Sequence, residues 1–531
     1  MKRKADTVLP GYEAVPLHVY DSTLGNTDIL TRIGLVFPSA LSLERLQDSW
    51  FELVRAWPIL AARVRPTPST PSGLSYFVPT EATLAALEAR SRSAHSKPLD
   101  KHIALVDASP RTISTFHAIA GRSVHAQLDA HQVSIGEAPD TRERDAMTCC
   151  NACTSWKQLL VTDQAYVTAQ ATKWADATSV TISFSHIAGD AFSIKNILEA
   201  WQRTLNGQLP EPLQDLGKDP FIKLLPQKGD AEELPLGWTK LGLVRTLKLL
   251  TSFAWDLKVR RPESSFRQYY VYMPQAQVDA LMQQARRDLE QLATAEAAVA
   301  ADAESESKEE KNTSAASPRD YTVSTFNVLF AWLLQNVHAA FPKQAKMSHA
   351  LAVVNPKLRP PLGHVEGDYP AHPLWGGAFA AVIRELSAHD YATLPIGQVA
   401  LHIRESLKEQ VTPRNIRNNL VLLLRHTMWK KPSGKVFFWT KNTSNYWFGT
   451  TEWRSVKFAE LDFGAAADPG NGAAPPSIHP VAMSAGMELP TTARNRWVIF
   501  GEAGKGVWFS GGMTPKEARN KNGFGRYILV K

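Results

Sequence analysis

His186 stands between two segments of different period. Upstream, Val180, Ile182 and Phe184 alternate with Thr181, Ser183 and Ser185, the two-residue repeat of a strand with one apolar and one hydroxyl face. Downstream, Ile194, Ile197, Leu198, Trp201 and Leu205 recur at helical spacing and stop before Gly207. An imidazole at the end of a strand can exchange a proton near neutral pH, its ordinary pKa being about 6.5. Asp190, four residues on and directly before the helical stripe, has the type and position of an N-cap whose carboxylate accepts helix N–H groups. Two readings of His186 stay open at this level, a general base or a polar residue satisfied at a bend. With 15 histidines in the chain, one histidine at one bend does not discriminate between them.

The elements around these residues are those of a globular enzyme-sized chain. A length of 531 residues exceeds one ordinary core, so two domains are expected. The 44% hydrophobic and 21% charged content is that of a folded protein. A net charge of +8 suits an anionic partner, but Lys and Arg form no block beyond the opening "MKRK", which argues against nucleic acid. No apolar run approaches the ~18 residues that span a bilayer, and the start lacks a secretion-signal pattern, so a cytoplasmic protein is expected. Cys149, Cys150 and Cys153 fall in one cluster with no second to complete a four-ligand zinc site; they are read as loop thiols, and no metal is expected.

Ser42 caps and Pro58 stops a helix whose core face is Leu43, Leu46, Trp50, Leu53, Val54 and Trp57. The organisation expected is an N-terminal domain over 1–207, a Pro- and Lys-rich crossover over 208–263, and a C-terminal domain over 264–531. Within the crossover, "LGLVRTLKLLTSFAWDL" is apolar on one side and basic on the other, a pattern expected to pack at the domain interface; a membrane-surface role is the competing reading. The acidic, Ala- and Ser-rich stretch at about 295–319 is expected to be a disordered insertion. Beyond it lie the capped apolar helix "YTVSTFNVLFAWLLQNV", the buried strand and basic turn "ALAVVNPKLRPPL", the Gly-rich "LWGGAF", and a final third of short strands read as one antiparallel sheet.

"SHIAGD" resembles the His-x-x-x-Asp motif of BAHD-type acyltransferases, including their fungal trichothecene 3-O-acetyltransferase-like branch. That family also carries Asp-Phe-Gly-Trp-Gly near its end, preceded nine residues earlier by the tryptophan of Thr-Ser-Trp; here Trp453 stands nine residues before Asp462, Phe463 and Gly464. "VYDSTL", "WPILAARV", "VSTFNVLFAWLL", "VNPKLRPPL" and "LWGGAF" fall in the family's order, so the resemblance spans nearly the whole chain. Two departures stand out: Ala191 replaces the glycine that commonly follows the Asp, and "DFGAAA" lacks the final Trp-Gly. Condensation domains of peptide synthetases share the fold, but Ser185 replaces the first histidine of their motif.

The resemblance implies an α/β chloramphenicol-acetyltransferase-like sandwich of two domains, with the active-site channel at their interface. It implies transfer of an acyl group, most simply acetyl, from acyl-CoA as co-substrate to a hydroxyl of a small specialised metabolite, with no bound cofactor. His186 would be the general base, and Thr451 or the Trp453 indole would face the oxyanion. Asp190 would pair with a basic residue of the second domain, Lys357 by position or Arg359 as the alternative. Ser324, Lys357 and Arg359 border the donor side, while Asp462, Phe463 and Gly464 are structural. A monomer without stable membrane association is implied. A fold that binds without turnover, and a lipid or glycolipid acyltransferase at a membrane surface, are the competing functional readings.

Overall fold

The computed structural model describes residues 6–109, 131–137, 150–306, 319–341, 345–357, 359–362, 372–430, 437–441, 447–467, 476–487, 494–502 and 506–530. Of their four sheets, the two largest organise the fold; a three-stranded sheet, Tyr12–Pro16, Leu74–Pro79 and Arg63–Pro66, and a two-stranded one complete it. The first has five strands in the order Ala482–Met487, Leu30–Phe37, Thr178–Ser185, Val167–Lys173 and Ile103–Asp107, antiparallel except for the last pair. The helices Leu43–Ala56 and Ala191–Leu205 pack against each other over the core of this unit. The helix Leu43–Ala56 is capped by Ser42, and its Trp50 meets Trp201 edge-on at 4.6 Å.

The second sheet has eight strands in the order Phe379–Ser387, Met347–Val354, Trp447–Glu452, Arg496–Glu502, Gly506–Met513, Arg267–Met273, Ser134–Glu137 and Ile528–Val530. The helices Gln275–Glu306, Thr325–Ala339 and Ile396–Gln410 cover one face. The strand Trp447–Glu452 runs parallel to both neighbours, and Phe437–Trp439 leaves this sheet to pair with Thr239–Leu241. The final third therefore does not form one antiparallel sheet. Alternation marks a strand but not its partner's direction, which the crossover connections fix.

The sheets do not part at the expected cuts. Ala482–Met487 completes the first sheet from the far end of the chain, and Ser134–Glu137 enters the second from the N-terminal part. Phe458, Leu461, Phe463 and Ile478 also lie in the first core. The stretch expected to be disordered is helical as far as Glu306, because its alanines and glutamates favour helix even with little to bury; 307–318 lie outside the described residues. Cys150 is exposed and Cys153 is buried, its thiol donating to Gln164 Oε1 at 2.6 Å; Cys149 lies outside the described residues.

Several histidines are structural. Trp50 Nε1–H donates to His102 Nδ1 at 2.7 Å, and the other ring nitrogen lies 3.1 Å from Leu60 O, an arrangement that fits a neutral ring donating from Nε2. Burial pushes the pKa of His102, His338 and His372 down to about 4 and that of His349 to about 3. The unfolded chain thus binds more protons than the folded one below about pH 6.5, and stability falls as pH drops through that value. The expected loss between pH 7 and pH 5 is about 2 kcal/mol per histidine. His18, whose pKa is raised, opposes the trend, whereas the carboxylates with lowered pKa values lose their contribution only below about pH 4. Urea midpoints measured across this range check the sign; a midpoint that rises on acidification would contradict it.

Candidate active site

The histidine is presented where the sheet ends. All eight residues of Thr178–Ser185 are buried, and Ser185, the last, pairs with Leu30. His186 N–H donates to Ile29 O at 2.9 Å, and a single 3-10 turn, His186–Ala188, carries the chain out of the sheet. Tyr76 pins this turn with a 2.7 Å hydrogen bond from its hydroxyl to Ile187 O. Gly189 then takes φ +118°, where a Cβ would sit 2.2 Å from Ser193 Oγ, so no other residue fits the bend. Asp190 follows as the N-cap of Ala191–Leu205, accepting from Ser193 N–H at 3.1 Å.

His186 is partly buried, and its Nδ1 is enclosed without a hydrogen-bond partner. The accessible edge of the ring is therefore the Nε2 side. Burial lowers its pKa below the ordinary value; Asp190 and Asp21 pull upward and Lys357 pushes further down. The net direction leaves a neutral imidazole at pH 7, able to accept a proton.

Asp190 is the centre of a small buried network. Asn355 Nδ2 donates to its Oδ2 at 2.9 Å, and Lys357 Nζ lies 3.3 Å from the same oxygen. The ammonium also sits 4.6 Å from the centre of the Trp375 ring. Ser193 Oγ reaches Pro373 O and Trp375 O at 2.9 and 3.2 Å, tying "PLWGG" to the first turn of the helix. Of the two basic residues expected beside Asp190, Lys357 is there; Arg359 is exposed on the following turn, its backbone N–H donating to Pro356 O.

Sequence reasoning did not single out Asp21, His18, Asn355, Ser193, Trp375 or His372 as site residues. Asp21 Oδ1 accepts Gly376 N–H at 3.1 Å, and its Oδ2 lies 3.3 Å from His18 Nδ1. His372 stands beyond, its ring 5.7 Å from that of His18. Burial opposes charge on His18, but the Asp21 hydrogen bond and charge outweigh it and raise its pKa. Asp21 and Trp375 were within reach of the sequence, since both lie in segments, "VYDSTL" and "LWGGAF", that share the family order.

The other expected site residues sit on other elements: a strand of the second sheet and the turn after it, a helix cap, and a loop in the first core. No hydrogen bond joins Thr451 or Trp453 to His186 among the described residues. Thr451 is partly buried and pairs with Val498 across the second sheet. Trp453 N–H donates to Ile499 O at 2.7 Å, and its ring packs against both the first core and the Tyr270, Phe500 and Trp508 cluster. The turn after it, Arg454–Val456, rests on the helix that Asp190 caps. Ser324 is exposed and forms a capping box with Asn327.

Asp462 closes a loop, its Oδ1 accepting Gly464 N–H and Ile478 N–H at 2.8 Å each and its Oδ2 the Ser477 hydroxyl at 2.6 Å. Its own N–H donates to Gln202 on the His186-side helix at 2.9 Å. Phe463 is fully buried against Phe37 and Trp201, and a Cβ on Gly464 would lie 1.7 Å from Pro476 O. Phe463→Ala is expected to cost about 3–5 kcal/mol in urea unfolding while sparing turnover per folded molecule. A loss under about 1 kcal/mol would show that the loop, not the ring, holds this clip.

No family model matches the chain. It is 56% identical over 550 residues to the acetyltransferase MATC1 of Mycosarcoma maydis, covering 100% of both. To the acetyltransferase MAT1 of Pseudozyma antarctica it is 52% identical over 536 residues, covering 98% of this chain and 99% of that one. Among solved structures, F. graminearum TRI101 complexed with coenzyme A and deoxynivalenol superposes with a TM-score of 0.60 at 11% identity, covering 97% and 99% of the two chains, a likeness of fold. Identity of 56% and 52% to two acetyltransferases over nearly the whole chain makes this protein an enzyme that transfers acyl groups. Within that class, the chain belongs to the fungal acetyltransferase family that MATC1 and MAT1 represent.

Proposed function

We propose that this chain acetylates a hydroxyl of a small specialised metabolite, taking the acetyl group from acetyl-CoA within a ternary complex, with His186 as general base. The observation that carries the reading is the state of the His186 ring: Nδ1 enclosed, the Nε2 side accessible, and a pKa lowered by burial. An alcohol attacks a thioester slowly at pH 7 because it holds its proton too tightly. Nε2 takes that proton as the oxygen bonds to the thioester carbonyl carbon; the C–S bond then breaks, and the imidazolium returns the proton to the departing thiolate. No acyl-enzyme intermediate is required. The likeness to a fold solved with coenzyme A and deoxynivalenol together supports a two-substrate arrangement, and the net charge of +8 suits a polyanionic donor.

In this scheme Asp190 accepts no proton. It braces the turn between the sheet and the helix, with Lys357 balancing its charge. Trp453 and Thr451 are proposed as donors to the oxyanion, each worth about 2.7–4 kcal/mol in the transition state if aimed at it. Both are half-buried, and neither the Trp453 indole N–H nor the Thr451 hydroxyl has an acceptor among the described residues. The test is free-thiol release from acetyl-CoA in the presence of a metabolite extract, with mass analysis of the products. Thiol release without an acetylated product, or equal rates with wild type and His186→Ala, would overturn the proposal and leave binding without turnover as the better reading.

A further inference from the structure

The helix Leu243–Trp255 does not pack at an interface between the two sheets. It is fastened to the protein by one edge, through the buried Leu249 and through Phe253, whose ring meets Trp439 at 5.7 Å. Leu243, Leu247, Leu250 and Ala254 follow each other at i, i+4, i+7 and i+11 and so form one stripe. Val244 and Trp255 widen it on the neighbouring stripe. All of these point outward: Leu243 is 77% exposed, Val244 79%, Leu247 53% and Trp255 62%. A contiguous apolar face of this kind marks a place where water is removed by a partner.

We propose that this helix is a docking face for an anionic lipid bilayer, on which the protein rests without crossing it. The charges select the occupant. Arg245, Lys248 and Lys258 are exposed beside the apolar stripe. The only acidic residue between Leu243 and Arg260 is Asp256, which is buried and held by Arg261 at 2.7 Å and Arg494 at 3.0 Å. The outward face therefore carries cations and no anion, the pattern of helices that lie in a headgroup layer with their apolar side in the acyl boundary. Two copies of this face would set like charges against each other, which disfavours self-association through it. A helix of 13 residues is about 20 Å long and cannot span the hydrocarbon layer, so it lies along the surface.

Flotation of the full chain with phosphatidylcholine vesicles, with or without about one third phosphatidylserine, tests this. At low salt the protein is expected to float with the anionic vesicles and to be released by high salt. Replacing Arg245 and Lys248 together by glutamine should lower partition about 30-fold. Leu243→Gln with Leu247→Gln should abolish it at unchanged net charge, with thermal melting showing that each variant folds. Failure of the wild type to float with anionic vesicles at low salt would overturn the proposal, as would flotation unchanged in both variants. Dimerisation of the wild type in sedimentation velocity, lost in the leucine variant, would also overturn it by assigning the face to a second copy.

Discussion

Replacing His186 with alanine is expected to lower kcat for acetyl transfer by about 10²–10⁴-fold, the usual contribution of a positioned general base. The fold should be nearly untouched, because Nδ1 makes no hydrogen bond and the ring is only partly buried. Thermal melting beside stopped thiol-release assays separates the two effects. In the wild type, burial lowers the His186 pKa, so kcat/KM should rise with pH through a value below 6.5 and be flat above it. An acid limb centred above 6.5 would mean that a different group accepts the proton.

Asp190→Ala is expected to destabilise the protein by about 3–5 kcal/mol, since it strands a partly buried ammonium and removes a helix cap. Lys357 Nζ, Asn355 Nδ2 and both the N–H and the hydroxyl of Ser193 lose the Asp190 carboxylate at once. Asp190→Asn keeps an oxygen for the cap and should cost less stability. Both substitutions delete a charge that raises the His186 pKa, so the acid limb of kcat/KM should move to lower pH. Lys357→Met deletes a charge that lowers it, so the limb should move to higher pH. Opposite shifts from the two partners would not arise if the pair only held the fold together; limbs that stay in place would reduce Asp190 to a cap. Urea unfolding and a pH series on each variant check both parts.

The features legible in the sequence are local ones. The strand, turn and helix around His186 could be read because sheet and helix periods, an N-cap residue and a glycine lie within one short stretch, where neighbours in sequence are neighbours in space. Lys357 beside Asp190 was reached through the resemblance, and the residues themselves left Arg359 as an alternative. Asp21 and Trp375 were quoted within motifs but given no role, because nothing local says that Gly376 N–H will meet an Asp21 carboxylate far back in the chain. The exposed helix Leu243–Trp255 went the other way: an amphipathic period shows that a face exists and not which side the protein covers.

The sequence by itself determined that an α/β chain would place an imidazole at a strand end with a carboxylate capping the next helix. Periodicity and capping act over a few residues, and the chain obeys them wherever it is going. Only the tertiary structure decided which nitrogen of His186 is accessible, that Lys357 and Asn355 share one oxygen of Asp190, that Ala482–Met487 would close the first sheet, and that a leucine stripe would face outward. Each depends on which distant segments meet, and that is settled by the summed burial of apolar surface across the whole fold and not by any single run of residues.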